Sequence, residues 1–286
     1  MKITFKYKNY FKKNINDFLL SKGYSDNNIF YLIKNKNVLV DDKVVNDKNY
    51  LLSFNAVIKV TLNDEFNELY RCDKPINIVY EDDYLLIVDK EKYDDVEPTK
   101  SNYENSLANK ISYYFDSKNI NSKIHLVNRL DKLTSGLVII AKNQYIHNLM
   151  SKVNIEKKYI TLVKGKTNKK CLIKVKIKKE DNSIKRVISD EGKLSLTKYK
   201  LIKYIDDNSL VEVKLLTGRT HQIRVSFESI NHPLIGDPIY SKDEKENMLL
   251  RAYFLSFIHP ISKRKLVIKV KWLFFIKCFI KSIFST

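Results

Sequence analysis

The amino-acid sequence predicts an α+β protein in two units: a small module over residues 1–62, a linker over 63–75 and a larger domain over 76–286. Three observations carry this. The first unit reads as helix, helix, hairpin and strand. A polar stretch without a period follows it. Beyond that stretch, runs that alternate with a period of two are interspersed with short helical segments, so neither an all-α nor an all-β chain fits.

In the first unit, FKKNINDFLLSKG sets Ile15, Phe18 and Leu19 at helical spacing, with Gly23 as a stop. SDNNIFYLIKNKN offers Ser25 or Asp26 as a cap and Ile29, Leu32 and Ile33 as a second apolar stripe. VLVDDKVV predicts a hairpin turning at Asp41-Asp42-Lys43, and AVIKVTL over 56–62 predicts a further strand. NDEFNELYRCDKP, 63–75, is polar and aperiodic and is read as the linker. INIVYEDDYLLIVDK then gives strands over 76–80 and 84–89 around the acidic turn Glu81-Asp82-Asp83. SLANKISYYF, 106–115, reads as a helix and LVIIA, 137–141, as an apolar strand. KYITLVKG and CLIKVKIKK alternate with a period of two, and the second sets Lys174, Lys176 and Lys178 on one face. In TGRTHQIRVSFESIN, Thr220 is expected to cap a helix with Ile223, Phe227 and Ile230 inward, ended by a left-handed Asn231. WLFFIKCFIKSIF, 272–284, is expected to be a terminal helix docked on the core. It is too short to span a bilayer and is interrupted by Lys277 and Lys281, so interfacial membrane contact ranks below docking.

The 286 residues carry a formal net charge of +19, with 44% hydrophobic and 12% aromatic residues, and a pI near 9.5. That composition supports a packed globule and excludes wholesale disorder. The charge attracts polyanions, which puts nucleic acid ahead of the plainer alternative, a soluble surface enriched in lysine. Cys72, Cys171 and Cys278 are far apart, with no CxxC pair, so neither zinc site nor disulfide framework is expected and the compartment reads as a reducing cytosol. His125, His147, His221, His232 and His259 lack metal-ligand spacing and read as structural residues. With no Gly-rich phosphate loop either, the sequence implies no cofactor and no metal. The N-terminus has lysines without an apolar core or cleavage site, so no secretory signal is expected.

HLVNRLDKLTSGLVIIAKN, 125–143, sets Arg129 and Asp131 beside an apolar strand. An ionised carboxylate there is costly unless cations or donors hold it. Either a local ion pair is tolerated, or a reactive carboxylate is needed. Together, VNRLDKLTSGLVIIAKN, KKYITLVKG, LLTGRTHQIRVSFESINHPLIGDPIY and LLRAYFLSFIHP resemble, in order and spacing, the RluA-type RNA pseudouridine synthases over most of 76–270. The first unit resembles a small RNA-binding module shared with a small-subunit ribosomal protein, although its second helix starts with little positive charge.

The resemblance implies a mixed, largely antiparallel central sheet crossed by an active-site cleft. It also implies isomerisation of uridine to pseudouridine in structured RNA, ribosomal RNA foremost, by a cytoplasmic monomer. By the same match Asp131 is the catalytic carboxylate, acting as nucleophile or general base. Arg224 is the guanidinium that keeps it charged, expected as a bidentate pair. Tyr159 is the ring on which a uracil rests. Arg129 fills the gap left by the extruded nucleotide. Thr134 and Ser135, followed by Gly136, fix the loop, and with Arg129, Arg219 and Ile223 they are the substrate-contacting residues.

Two departures stand out. Asn128 occupies a place where many relatives have His. DKEKYDDVEPTK, 89–100, replaces a Lys-Pro-x-Gly and His-Pro pattern, keeping Lys90, Pro98 and Thr99; its acids Asp94, Asp95 and Glu97 are expected to repel phosphates. The alternative left open is a non-catalytic RNA-binding protein that retains the fold.

Overall fold

The computed structural model describes residues 2–62, 64–181, 183–241, 243 and 247–272. The first unit comprises β1 (Lys2–Lys6), β2 (Lys13–Asn14), α1 (Ile15–Ser21), α2 (Asp26–Lys34), β3 (Val38–Val40), β4 (Lys43–Val44), β5 (Leu51–Leu52) and β6 (Val57–Thr61). Its larger sheet runs β1-β6-β3-β4, with β2 and β5 paired apart. The Ser25 hydroxyl accepts from Asn28 N at 3.3 Å and starts α2, which buries Ile29, Leu32 and Ile33. Asp41 and Asp42 take φ of 49° and 64°, the left-handed pair that a two-residue hairpin requires. The strand β1 was not anticipated. Its KITFK is half lysine-flanked and buries only Ile3 fully, but it pairs along its whole length with β6.

The second unit contains β7 (Ile78–Glu81), β8 (Leu85–Lys90), α3 (Leu107–Ser117), β9 (His125–Leu126), β10 (Ser135–Ala141), α4 (Gln144–Met150), β11 (Glu156–Val163), β12 (Lys170–Lys179), β13 (Arg186–Ile188), β14 (Lys193–Ile205), β15 (Asn208–Leu215), α5 (Gln222–Glu228), β16 (Leu250–Ile258) and β17 (Lys265–Lys269). Among the described residues these strands form one eleven-stranded sheet in the order β13-β12-β14-β15-β11-β16-β10-β8-β7, with β17 on β16 and β9 on β10. The expectation of a mixed, largely antiparallel sheet holds: among the described residues, only β10 and β16 pair in parallel, through Ser135↔Arg251 and Gly136↔Ala252. There Gly136, at φ 116°, lies so near β16 that an added Cβ would be 2.1 Å from the Ala252 carbonyl oxygen.

β8 and β10 read as unbroken apolar runs because both their faces are covered. Leu85, Ile87, Leu137 and Ile139 pack toward α4 and the first unit. Leu86, Val88, Val138 and Ile140 pack toward α3 and α5. The first unit is joined to this core. Tyr24 stacks on Tyr145 with centroids 4.1 Å apart, and the Tyr145 hydroxyl donates to Lys22 O at 2.9 Å.

The stretch read as a linker has no regular element over 64–75, yet it is pinned. Glu65 accepts from Lys123 N (3.2 Å) and Gln144 N (3.1 Å) and faces His125 Nε2, and Arg71 pairs with Asp116 at 2.7 Å. Trp272 packs with Tyr253, while the rest of the terminal helix expected over 272–284 lies outside the described residues. Among the described residues no helix is long and apolar enough to cross a membrane.

Candidate active site

Four elements converge at mid-sheet. A single cross-strand row carries Tyr159 on β11, Ala252 on β16, Gly136 on β10 and Lys90 on β8. Asp131 lies on the loop entering β10, where Thr134 N donates to Asp131 O at 2.9 Å to close a turn. Asn128 ties this loop to the strand: its Oδ1 accepts from Ile139 N (2.8 Å) and its Nδ2 donates to Leu137 O (3.2 Å). An amide thus supplies both a donor and an acceptor at this point of the loop.

The loop is also held from β8. The buried Lys90 ammonium donates to Glu91 O (2.8 Å), Asp94 O (2.7 Å) and Lys132 O (3.2 Å), stitching the divergent 89–100 segment to the Asp131 loop. Burial pushes its pKa down to about 8, against the opposing pull of Asp94, Asp95 and Asp131. The acids of that segment do not stand free as the sequence suggested. Asp94 pairs with Lys110 at 2.6 Å, Asp95 accepts from Asn102 at 3.0 Å and lies 3.4 Å from Lys132, and Glu97 pairs with Arg129 at 2.7 Å. Each carries its own counter-charge or donor, so the expected repulsion of phosphate is largely offset.

On the other side, α5 presents Arg224. The expected cap is corrected here: α5 begins at Gln222, and the residue before it is not Thr220 but His221, in a left-handed conformation with φ 56° and no side-chain cap. The Gln222 side-chain oxygen accepts from Arg219 N at 3.0 Å and ties the start of α5 to the loop before it. Asn231, at φ 60°, does lie beyond the helix end as expected.

The expected bidentate Asp131–Arg224 pair is also corrected. Arg224 Nε and Nη2 both donate, at 2.7 Å, to the two oxygens of the buried Asp237. Its remaining Nη1 stands 3.7 Å from Asp131 Oδ2, within ion-pair range but beyond a hydrogen bond. A guanidinium this deeply buried needs a fixed counter-ion, and Asp237 provides it. Asp131, with a side chain 30% exposed, is left open to the cavity. Burial works against the Arg224 charge, and the Asp237 bonds overcome it, raising its pKa. The Tyr240 ring lies under the guanidinium with its centroid 5.0 Å from Cζ.

His221 Nε2 is 3.9 Å from Asp131 Oδ2, and its Nδ1 is 3.0 Å from the Tyr240 hydroxyl. Burial lowers the imidazole pKa; Asp131 opposes this and Arg224 adds to it, favouring a neutral ring. Burial, reinforced by Asp131, likewise keeps the Tyr159 phenol protonated by raising its pKa.

A cavity of about 70 Å³ is lined by Arg129, Asp131, Thr134, Tyr159, Arg219, Ile223 and Arg224, together with His221 and neighbouring apolar side chains. It opens to a cleft of about 910 Å³ that runs along the Asp131 loop, the start of β11 and the end of β15. Of the residues singled out in the sequence, Ser135 lies apart: it is buried on β10 and its hydroxyl accepts from Arg251 at 3.3 Å. Asp237, Tyr240, His221 and Lys90 were not anticipated as parts of the site. The signals were the buried charge required by Arg224 and the GDPIY segment that follows α5. Among the described residues no group of acidic, His and Cys side chains could hold a metal ion.

Comparison with known proteins gives a consistent picture. A family model described as RNA pseudouridylate synthase matches residues 84–229, spanning Asp131, Tyr159 and Arg224. Ribosomal large subunit pseudouridine synthase D of Buchnera aphidicola subsp. Acyrthosiphon pisum is 33% identical over 277 residues, covering 86% of this chain and 87% of the relative. An uncharacterized RNA pseudouridine synthase of Aquifex aeolicus is 37% identical over 220 residues, covering 69% of each chain. The solved structure of human RNA pseudouridylate synthase domain containing 1 shares the fold, with a TM-score of 0.58 and 23% identity over 70% of this chain and 84% of that one.

Proposed function

We infer the reaction from one premise, that the chain belongs to the RNA pseudouridylate synthase family, an isomerase family acting on RNA. The proposed substrate is a uridine in ribosomal RNA, the class named for the Buchnera relative. In the isomerisation the bond from C1′ to N1 of the uracil breaks and a bond from C1′ to C5 forms. The C5 proton is lost and N1 gains one, so nothing enters or leaves overall.

The observation that carries this reading is the carboxylate of Asp131. It faces a small cavity, with the Arg224 guanidinium 3.7 Å away and the Tyr159 ring among the lining residues. A uridine drawn from its stack by the basic surface rests on Tyr159, and Asp131 acts on the nucleoside as nucleophile or general base. Arg224, fixed from behind by Asp237, supplies positive charge that need not reorganise during reaction. Arg129, exposed at the cavity mouth, is placed to occupy the vacated stack once it exchanges Glu97 for RNA. Asp131→Asn is expected to abolish pseudouridine in an incubated ribosomal RNA fragment while RNA affinity persists. Normal turnover by that variant would remove Asp131 from the chemistry.

A further inference from the structure

We propose that the loop over residues 7–12, with Phe54 beside it, is a docking platform for an unpaired stretch of RNA. This takes RNA as the ligand class from the reading above but concerns a different surface. Tyr10 and Phe11 are the most exposed aromatic side chains among the described residues, at 82% and 81%. They are not loose ends of the chain. The buried Tyr7 donates its hydroxyl to Phe11 O, Asn55 N donates to Tyr7 O at 2.8 Å, and Phe11 N donates to Asn9 Oδ1 at 3.2 Å. Tyr10 then lies flat on Phe54, with centroids 4.0 Å apart and planes 9° from parallel. A braced loop thus presents a preassembled flat stack whose outer faces meet water.

Charge identifies the occupant. Residues 2–14 hold five lysines and no acid, and Lys6, Lys8 and Lys12 are exposed. The acids on the flanking segments are Asp17 and Asp47, and the Asp47 carboxylate accepts from Asn49 N at 2.9 Å. Flat aromatic faces among lysines are what a single strand uses, bases on rings and phosphates on ammonium groups. A duplex hides its base faces and is held across the minor groove instead, so the rings favour unpaired RNA. The start of α2, Asp26-Asn27-Asn28, offers no cation. On this account the module engages RNA mainly through the β1–β2 loop and not through its second helix.

The test uses the full chain and a fluorescent twelve-nucleotide oligouridylate, with a blunt RNA duplex of matched charge as comparison. Tyr10→Ala combined with Phe11→Ala should weaken oligouridylate binding by roughly 5- to 150-fold per base stack lost and leave duplex binding nearly unchanged. Tyr10→Trp, which keeps a flat ring, should retain affinity and guards against loss through loop collapse. Unchanged oligouridylate affinity in the double variant overturns the proposal and returns the rings to a protein contact; equal losses on the duplex overturn it too. Pseudouridine formation by the unaltered chain is read in parallel. Its absence would strike the catalytic reading alone, because oligouridylate binding at the loop requires no turnover.

Discussion

Asp237→Asn probes the charge arrangement behind Asp131. Asp237 is fully buried and Arg224 only 3% exposed. Asp237 accepts two bonds from Arg224 at 2.7 Å, and its Oδ1 also accepts from Ile239 N (2.9 Å) and Tyr240 N (3.1 Å). Asparagine has one acceptor oxygen. Whichever way its amide is turned, the NH2 group meets a donor, either Arg224 Nε or the cluster at Oδ1. Leaving one buried charge without its partner costs about 3–5 kcal/mol. At roughly 2–4 °C per kcal/mol for a chain approaching this size, the midpoint should fall by about 6–20 °C. Thermal unfolding followed by far-ultraviolet circular dichroism measures the shift. Asp207→Asn is the control, since its side chain is 95% exposed in a surface pair and should change stability by less than about 0.5 kcal/mol. At a temperature where the variant is folded, turnover should also drop, because Arg224 is then free to close on Asp131. A wild-type midpoint for Asp237→Asn would refute the claim that Asp237 is the anchoring counter-ion.

Gly136→Ala should prevent stable folding, at a cost of about 4 kcal/mol or more, because the added methyl meets the Ala252 carbonyl at a left-handed φ; soluble yield and the unfolding midpoint report it. Lys90→Met strands three carbonyls and unties the Asp131 loop, so kcat should fall more than RNA affinity, as single-turnover assays would show. His221 and His259 both have folded pKa values lowered by burial from 6.5. The unfolded chain therefore takes up their protons first, and stability should decline as pH drops below about 6.5, less steeply in His221→Asn; urea midpoints at about pH 7.5 and pH 5 test the slope. Glu97→Gln should leave stability within about 1 kcal/mol, since the Arg129 pair is half exposed or more, yet strengthen RNA binding at low salt by freeing the arginine.

Local chemistry made much of this molecule readable from sequence. Ser25 caps α2 as its pattern offered, the helix read from Ser106 forms with that serine as its cap, and the apolar runs of β8 and β10 mark strands covered on both faces. The Asp41-Asp42 pair turns where the pattern placed it. What stayed hidden depended on partners distant in the chain. β1 has no strong period of its own and exists because β6 offers it an edge. Asp237 is 13 residues from Arg224 and outside any helical period with it, so only the folded chain discloses that the bidentate bond goes there. The acids of 89–100 read as a negative patch because Lys110, Arg129 and Lys132, which answer them, lie on other segments. His221 looked structural because its approach to Asp131 comes from a backbone conformation that sequence alone did not reveal.

The contact between Tyr24 and Tyr145 has a consequence for substrate choice. Gly23 lies against the Leu149 side chain at this seam, and buried residues of the first unit and of β8, β10 and α4 share one apolar core. The aromatic loop and the cavity are thus carried on units packed through a common core. If RNA docks on the aromatic loop as proposed, its uridine would have to reach the cavity across a span that the protein sets. On that reading, folded distance within the RNA would distinguish uridines that are otherwise identical.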